Sequence, residues 1–147
     1  MQKKYIRWEQ RFSNYKKALA KLEQIAAHKL LSELSELETE GLIQRFEYTF
    51  ELAWKTLQDL LEHKGYQDIA GPNPVLEQAL KDGYIQSEKG WRQMKKSREL
   101  TSHTYNSDTA EDIAEDIIEL YYDLLKALET KLDEERLGGK QQTIFTE

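Results

Sequence analysis

The chain contains no cysteine. Disulfides, thiolate metal sites, iron–sulfur clusters and cysteine nucleophiles are therefore excluded. Two prolines and seven glycines in 147 residues are too few for a turn-rich sheet protein, so an all-β architecture is nearly excluded. Long apolar runs are missing as well. The segment Met1 to Glu9 lacks the apolar stretch of a signal peptide, and no later segment approaches the roughly 18 apolar residues of a membrane span. The expectation is a cytoplasmic protein without membrane contact. There is no Gly-x-Gly-x-x-Gly, no Gly-x-x-x-x-Gly-Lys and no Gly-Ser followed by paired aspartates. A phosphate loop and a nucleotidyltransferase centre are thus both missing, so the chain is not itself a nucleotidyltransferase and no cofactor is expected. None of His28, His63 and His103 has a glutamate three residues before it, which argues against the di-iron sites that helical bundles can hold; no metal site is expected.

What the chain does have is charge, 33% of residues, beside 39% apolar residues, a balance suited to long solvated helices around a single core. Tyr5, Trp8, Phe12, Tyr15, Leu19, Leu22 and Ala26 recur in steps of three and four, predicting a first helix from Tyr5 to Leu31. After a polar stretch from Ser32 to Gly41, a second helix carries Leu42, Phe46, Phe50, Ala53, Trp54, Leu57 and Leu61 and stops at Lys64-Gly65. Asn73 and Pro74 read as the cap and first position of a short helix reaching Asp82. A fourth helix spans Ser87 to Leu100, and Thr101 to Ser107 contains a turn. Asp108-Thr109-Ala110-Glu111 has the spacing of a capping box. The fifth helix behind it places Ala110, Ala114, Ile117, Tyr121, Leu124 and Leu128 on one stripe and ends near Gly138-Gly139. The expected fold is all-α: an antiparallel up-and-down bundle of three long and two shorter helices, with residues 1–137 as one domain and 138–147 as a polar tail. The stripes exceed what one short bundle must bury, which predicts a homodimer, with Trp8, Tyr15 and Tyr121 as candidates for its interface.

Net charge is −6, which on its own argues against nucleic acid, but the distribution is uneven. Seven bases face one acid between Lys3 and Lys21, and five face one between Ser87 and Arg98, whereas eleven acids face three bases from Asp108 to Arg136. Lys89, Arg92, Lys95 and Lys96 are candidates for contact with RNA phosphates. Trp8, Trp54 and Trp91 could stack on bases, but each lies on an apolar stripe, where core packing is the better reading.

His28 and His63 sit near helix ends, where an imidazole commonly meets only the C-terminal dipole. His103 differs, because Arg98 to Asn106 gathers a fixed cation, an imidazole titrating near neutrality and the Tyr105 phenol. A metal-free ribonuclease step needs a base for the 2′-hydroxyl, an acid for the leaving oxygen and a cation for the charge building on phosphorus. On an unbroken helix Arg98 and His103 would stand about 140° apart, so either the helix breaks between them or two chains contribute. A two-fold axis would bring two copies of each together and sum two basic stretches. The bland alternative is that Arg98 pairs with a carboxylate of the fifth helix and His103 caps a helix, since Arg-x4-His alone is a weak pattern.

Arg98, His103 and Tyr105 in an Arg-x4-His-x-Tyr arrangement, the run Leu100-Thr101-Ser102-His103-Thr104-Tyr105-Asn106 and the block Gln44 to Lys55 together resemble the HEPN family. The likeness is to its small bacterial members known as nucleotidyltransferase substrate-binding proteins, and extends from about Tyr5 to Leu132. It implies a dimeric helical bundle working with a separately encoded minimal nucleotidyltransferase, and two rival functions. In one, the chain is a metal-independent ribonuclease toxin with Arg98 and His103 catalytic, and the partner silences it by adenylylating Tyr105. In the other it is a non-catalytic substrate-binding subunit of a two-chain transferase, with Glu47 and Glu51 facing a cationic substrate. The toxin reading is preferred, because it gives Arg98, His103 and Tyr105 a role together.

Overall fold

The structure, a computed structural model, describes residues 7–27, 29–103 and 105–146, with 139–146 described by backbone only. His28, Thr104 and the expected start of the first helix at Tyr5 lie outside the described residues. Among those residues every regular element is helical.

Helix α1, Arg7–Ala26, buries Trp8, Phe12, Tyr15, Leu19, Leu22 and Ala26 along the predicted stripe. It stops short of Leu31, because Leu31–Glu33 forms a separate 3₁₀ turn. Helix α2, Glu36–His63, starts earlier than the apolar pattern suggests. Ser35 Oγ accepts the Glu38 N–H at 3.1 Å and Glu38 Oε1 accepts the Ser35 N–H at 2.9 Å, a reciprocal cap that satisfies two otherwise orphaned donors. Helix α3 is Pro72–Lys81. Its cap is Gly71, at φ +88°, rather than the expected Asn73. Both prolines fall in the first turn, where no amide donor is needed. Helix α4, Glu88–Thr101, is capped by Ser87, whose Oγ accepts the Gly90 N–H at 3.2 Å.

Helix α5, Ser107–Asp116, is capped by Asn106, whose Oδ1 accepts the Thr109 N–H at 2.8 Å. The expected box beginning at Asp108 is therefore not formed, and Asp108 instead places its charge at the positive end of the helix. The backbone stays helical through a π turn, Ile117–Tyr121, into helix α6, Tyr122–Thr146. The buried series across this turn is Ile117, Tyr121 and Leu125. Leu125 and not the expected Leu124 is fully buried. The helix also runs through Gly138-Gly139 instead of ending there; glycine weakens a helix without forbidding it.

Arg7 and Arg11 at the start of α1 reach the buried Asp59 near the end of α2, at 3.7 and 2.7 Å, so α1 and α2 run antiparallel. Lys16 meets Asp133 at 3.1 Å and the Tyr122 hydroxyl donates to Glu23 at 2.7 Å, which sets α6 antiparallel to α1. With α3 and α4 shorter than α1, α2 and the α5–α6 rod, the bundle has the predicted three long and two shorter members. Trp8, Tyr15 and Tyr121 are all inside this core, the last stacked on Phe46 at 5.4 Å. None of the three can serve an intermolecular interface. Trp91 is also core, whereas Trp54 is half-buried and its indole N–H has no acceptor among the described residues. Among the described residues no helix is long and apolar enough to cross a membrane.

Candidate active site

The last turn of α4 is fixed from beneath. The Tyr121 hydroxyl, delivered by the π turn, accepts from Ser97 Oγ at 2.6 Å and donates to the Gln93 carbonyl at 3.2 Å. Ser97 is buried, so this bond ties α4 to the α5–α6 rod one residue before Arg98. The apolar pattern places Tyr121 on the stripe but cannot show this bond, since Ser97 carries no signal that distinguishes it from a surface serine.

Arg98 leaves that turn toward α2. Its Nη1 lies 3.4 Å from Glu47 Oε2 and 3.5 Å from Thr101 Oγ1, and its Nε lies 3.6 Å from Glu51 Oε2. Glu47 and Glu51 are four residues apart on one helix face, so both carboxylates can address one guanidinium. The carboxylate partners of Arg98 thus come from α2 and not from the fifth helix. Glu47 and Glu51, which the substrate-binding reading turns toward a cationic substrate, are thus paired with Arg98. The fit leaves slack: Arg98 Nε is buried and has no acceptor at hydrogen-bonding distance among the described residues.

Beyond Arg98 the helix ends. Ser102 takes the C-cap, and its N–H and that of His103 close on Glu99 and Leu100 carbonyls, each at 3.2 Å. Of the two ways in which Arg98 and His103 could serve one site, the structure supplies the first, a break between them. His103 is exposed on the turn. Among the described residues no hydrogen bond or ion pair joins it to Arg98. Tyr105 follows, 36% exposed, with its phenol pushed above the usual tyrosine range by partial burial and then by the charges of Glu47 and Glu40. Glu47 therefore acts on both Arg98 and Tyr105.

The basic residues of α4 are partly neutralised. Arg92 pairs with Glu88 at 3.2 Å and Lys95 with Glu99, while Lys89 and Lys96 are exposed and form no ion pair among the described residues. Among those residues no group of three or more histidine, aspartate and glutamate side chains is arranged to hold a metal ion.

Residues 10–134 match the family described as nucleotidyltransferase substrate binding protein like. A curated relative from Haemophilus influenzae, named as the probable ribonuclease HepT, is 34% identical over 74 residues, which are 48% of this chain and 51% of that protein. The chain thus matches about half the length of that relative. A crystal structure of a Thermus thermophilus protein superposes with a TM-score of 0.71 at 36% identity, covering 80% of this chain and 98% of the other. With the match running from α1 into α6, the chain belongs to the nucleotidyltransferase substrate-binding-protein-like family.

Proposed function

We propose that the chain is a HEPN-type, metal-independent endoribonuclease toxin subunit, paired with a separately encoded minimal nucleotidyltransferase that neutralises it by adenylylating Tyr105. The observation that carries this reading is the order of groups around one helix end: a fixed cation on the last turn of α4, an exposed imidazole on the turn and a half-exposed phenol just before α5. The name of the Haemophilus influenzae relative supports the ribonuclease part, and the family description supports the nucleotidyltransferase part.

In the reaction, a His103 imidazole removes the 2′-hydroxyl proton, and the oxygen attacks the adjacent phosphorus. The bond from phosphorus to the 5′-oxygen breaks, leaving a 2′,3′-cyclic phosphate, and the departing oxygen takes a proton from a histidine. Arg98 stabilises the charge on the phosphoryl oxygens. A two-fold dimer would supply the second histidine. Tyr48 on α2 and Leu100 on α4, one and two residues from the Glu47–Arg98 pair, are 60% and 46% exposed, so apolar surface for a second copy lies beside the site. Lys89, Arg92, Lys95 and Lys96 would guide the RNA backbone.

In the non-catalytic substrate-binding reading Glu47 and Glu51 face a cationic substrate, whereas here both are paired with Arg98. The test is cleavage of RNA by the free chain in EDTA, with the product ends identified. Cyclic phosphate ends that vanish in Arg98→Ala and His103→Ala are expected; no cleavage by the unmodified wild type, or undiminished cleavage by either variant, would overturn the proposal.

A further inference from the structure

A groove of about 1080 Å³ opens at the end of the bundle where α1 turns into α2, and Tyr105 stands on its edge. Its floor is apolar: Leu31 and Leu34 pack at the margin of the core beside Ala110, and Leu30 is 66% exposed. Its walls carry Glu36 and Glu40 from α2, Glu111 and Glu115 from α5, and Glu119 from the π turn. Among the described residues no lysine or arginine lines it, and none of the five carboxylates has a cationic partner.

Local structure accounts for only part of this. A carboxylate in the first turn of a helix, such as Glu36, answers the positive end of the dipole. Glu115 and Glu119 lie far beyond the first turn of α5, and at spacings of four Glu111, Glu115 and Glu119 repel one another. Nothing among the described residues compensates for that repulsion. The charge also repels RNA, so the groove is not a continuation of the basic face of α4.

We propose that the groove is the docking site for a segment of the partner protein that presents lysine or arginine side chains around an apolar ridge. Charge complementarity selects the basic residues, and the exposed leucines select the apolar ones. A groove of about 1080 Å³ is far larger than a single small cation and suits a peptide segment better. This rests on the reading that the chain pairs with a nucleotidyltransferase, and it adds where that partner grips: a segment seated here brings the partner's body up to the Tyr105 hydroxyl. The same surface would make the association strongly salt-dependent.

The experiment measures binding of the co-expressed minimal nucleotidyltransferase to the wild-type chain, to Glu111→Gln/Glu115→Gln, to Glu111→Lys/Glu115→Lys and to a control reversal on α2 outside the groove, Glu62→Lys. Circular dichroism verifies that each variant is folded. The expected result is tight wild-type binding that weakens with added salt, a smaller loss in the glutamine pair, a loss of at least about tenfold in the lysine pair, and none in the control. Equal affinities of wild type and lysine pair would overturn the groove while leaving the pairing intact. Absence of wild-type binding would overturn both. Spermine that fills the groove in a titration, with partner affinity indifferent to the charge reversals, would assign the groove to small cations and also overturn the proposal.

Discussion

Arg98 Nη1 lies 3.4 Å from Glu47 Oε2, and the same carboxylate raises the pKa of the Tyr105 phenol, so one acid of α2 couples the arginine to the tyrosine. Glu47→Gln removes one of the three influences that hold Tyr105 above its ordinary range. Partial burial, the largest, and Glu40 remain. The Tyr105 pKa should therefore fall yet stay above that of free tyrosine, as followed by NMR titration of the ring. A value unchanged or higher in the variant would show that Glu47 does not act on the phenol.

Arg98→Ala and His103→Ala, both expected to abolish cleavage, should be separable by stability. Removing Arg98 leaves Glu47 and Glu51, 25% and 35% exposed, facing each other without their cation, which should cost about 1–2 kcal/mol. His103 is exposed and makes no side-chain bond among the described residues, so its removal should stay within about 0.5 kcal/mol. Urea denaturation of both variants checks the contrast, and equal losses would contradict the assigned environments.

Ser97 and Tyr121 bond at 2.6 Å in the core, and a double-mutant cycle of Ser97→Ala with Tyr121→Phe should return a coupling of about 1 kcal/mol. Each single change leaves the other hydroxyl buried with one partner fewer. A coupling near zero would mean that the bond does not hold α4 against the π turn.

The helices are legible in the sequence because their apolar side chains recur at helical spacing and few residues interrupt them. Trp8, Phe12, Tyr15, Leu19 and Leu22 share one predicted face and are buried together. Ends are less legible. Capping residues compete locally: Asn106 precedes Asp108, Gly71 precedes Asn73, and propensity alone does not say which side chain or backbone geometry will take the cap. The π turn is not legible, because the steps of four at Ile117, Tyr121 and Leu125 also occur at Leu42, Phe46 and Phe50 in the unbroken α2. At the site, Arg98, His103 and Tyr105 are visible as a spacing, but the ion pairs of Arg98 with Glu47 and Glu51 span about fifty residues of sequence and depend on how α4 lies against α2. The five-carboxylate groove is equally hidden, since its walls come from α2, α5 and the π turn.

Stability should decline above about pH 10. Tyr84 and Tyr122 are pushed up to about 12 by burial and by the carboxylates of Glu135 and Glu23, and Tyr15 is also raised, by burial and then by the charge of Glu129. These phenols hold their protons in the folded chain after the unfolded chain has begun to release them. The stabilisation is complete below the unfolded value of about 10 and is lost as pH climbs toward the folded values. Unfolding free energies at about pH 9 and about pH 11 should differ by about 1–3 kcal/mol. A protein equally stable at both would contradict these environments.

Tyr105 should be the residue that the partner modifies. Its ring is 36% exposed, and its hydroxyl makes no hydrogen bond among the described residues, so the oxygen is available to attack the α-phosphorus of ATP. The bond to pyrophosphate breaks, the phenolic proton passes to a base of the partner or to water, and the tyrosine carries an adenylyl group. That group brings an anionic phosphodiester into a segment two residues beyond His103, where it can draw on the charge of Arg98 and obstruct the scissile phosphate. With the nucleotidyltransferase, ATP and magnesium, the peptide containing Tyr105 should gain the mass of one adenylyl group as RNA cleavage falls. Tyr105→Phe should remain folded, escape labelling and keep cleaving in the presence of the partner, because it loses only the acceptor oxygen. Undiminished labelling of Tyr105→Phe would place the modification on another residue, and inhibition of Tyr105→Phe without labelling would mean that binding alone, not the covalent group, silences the site.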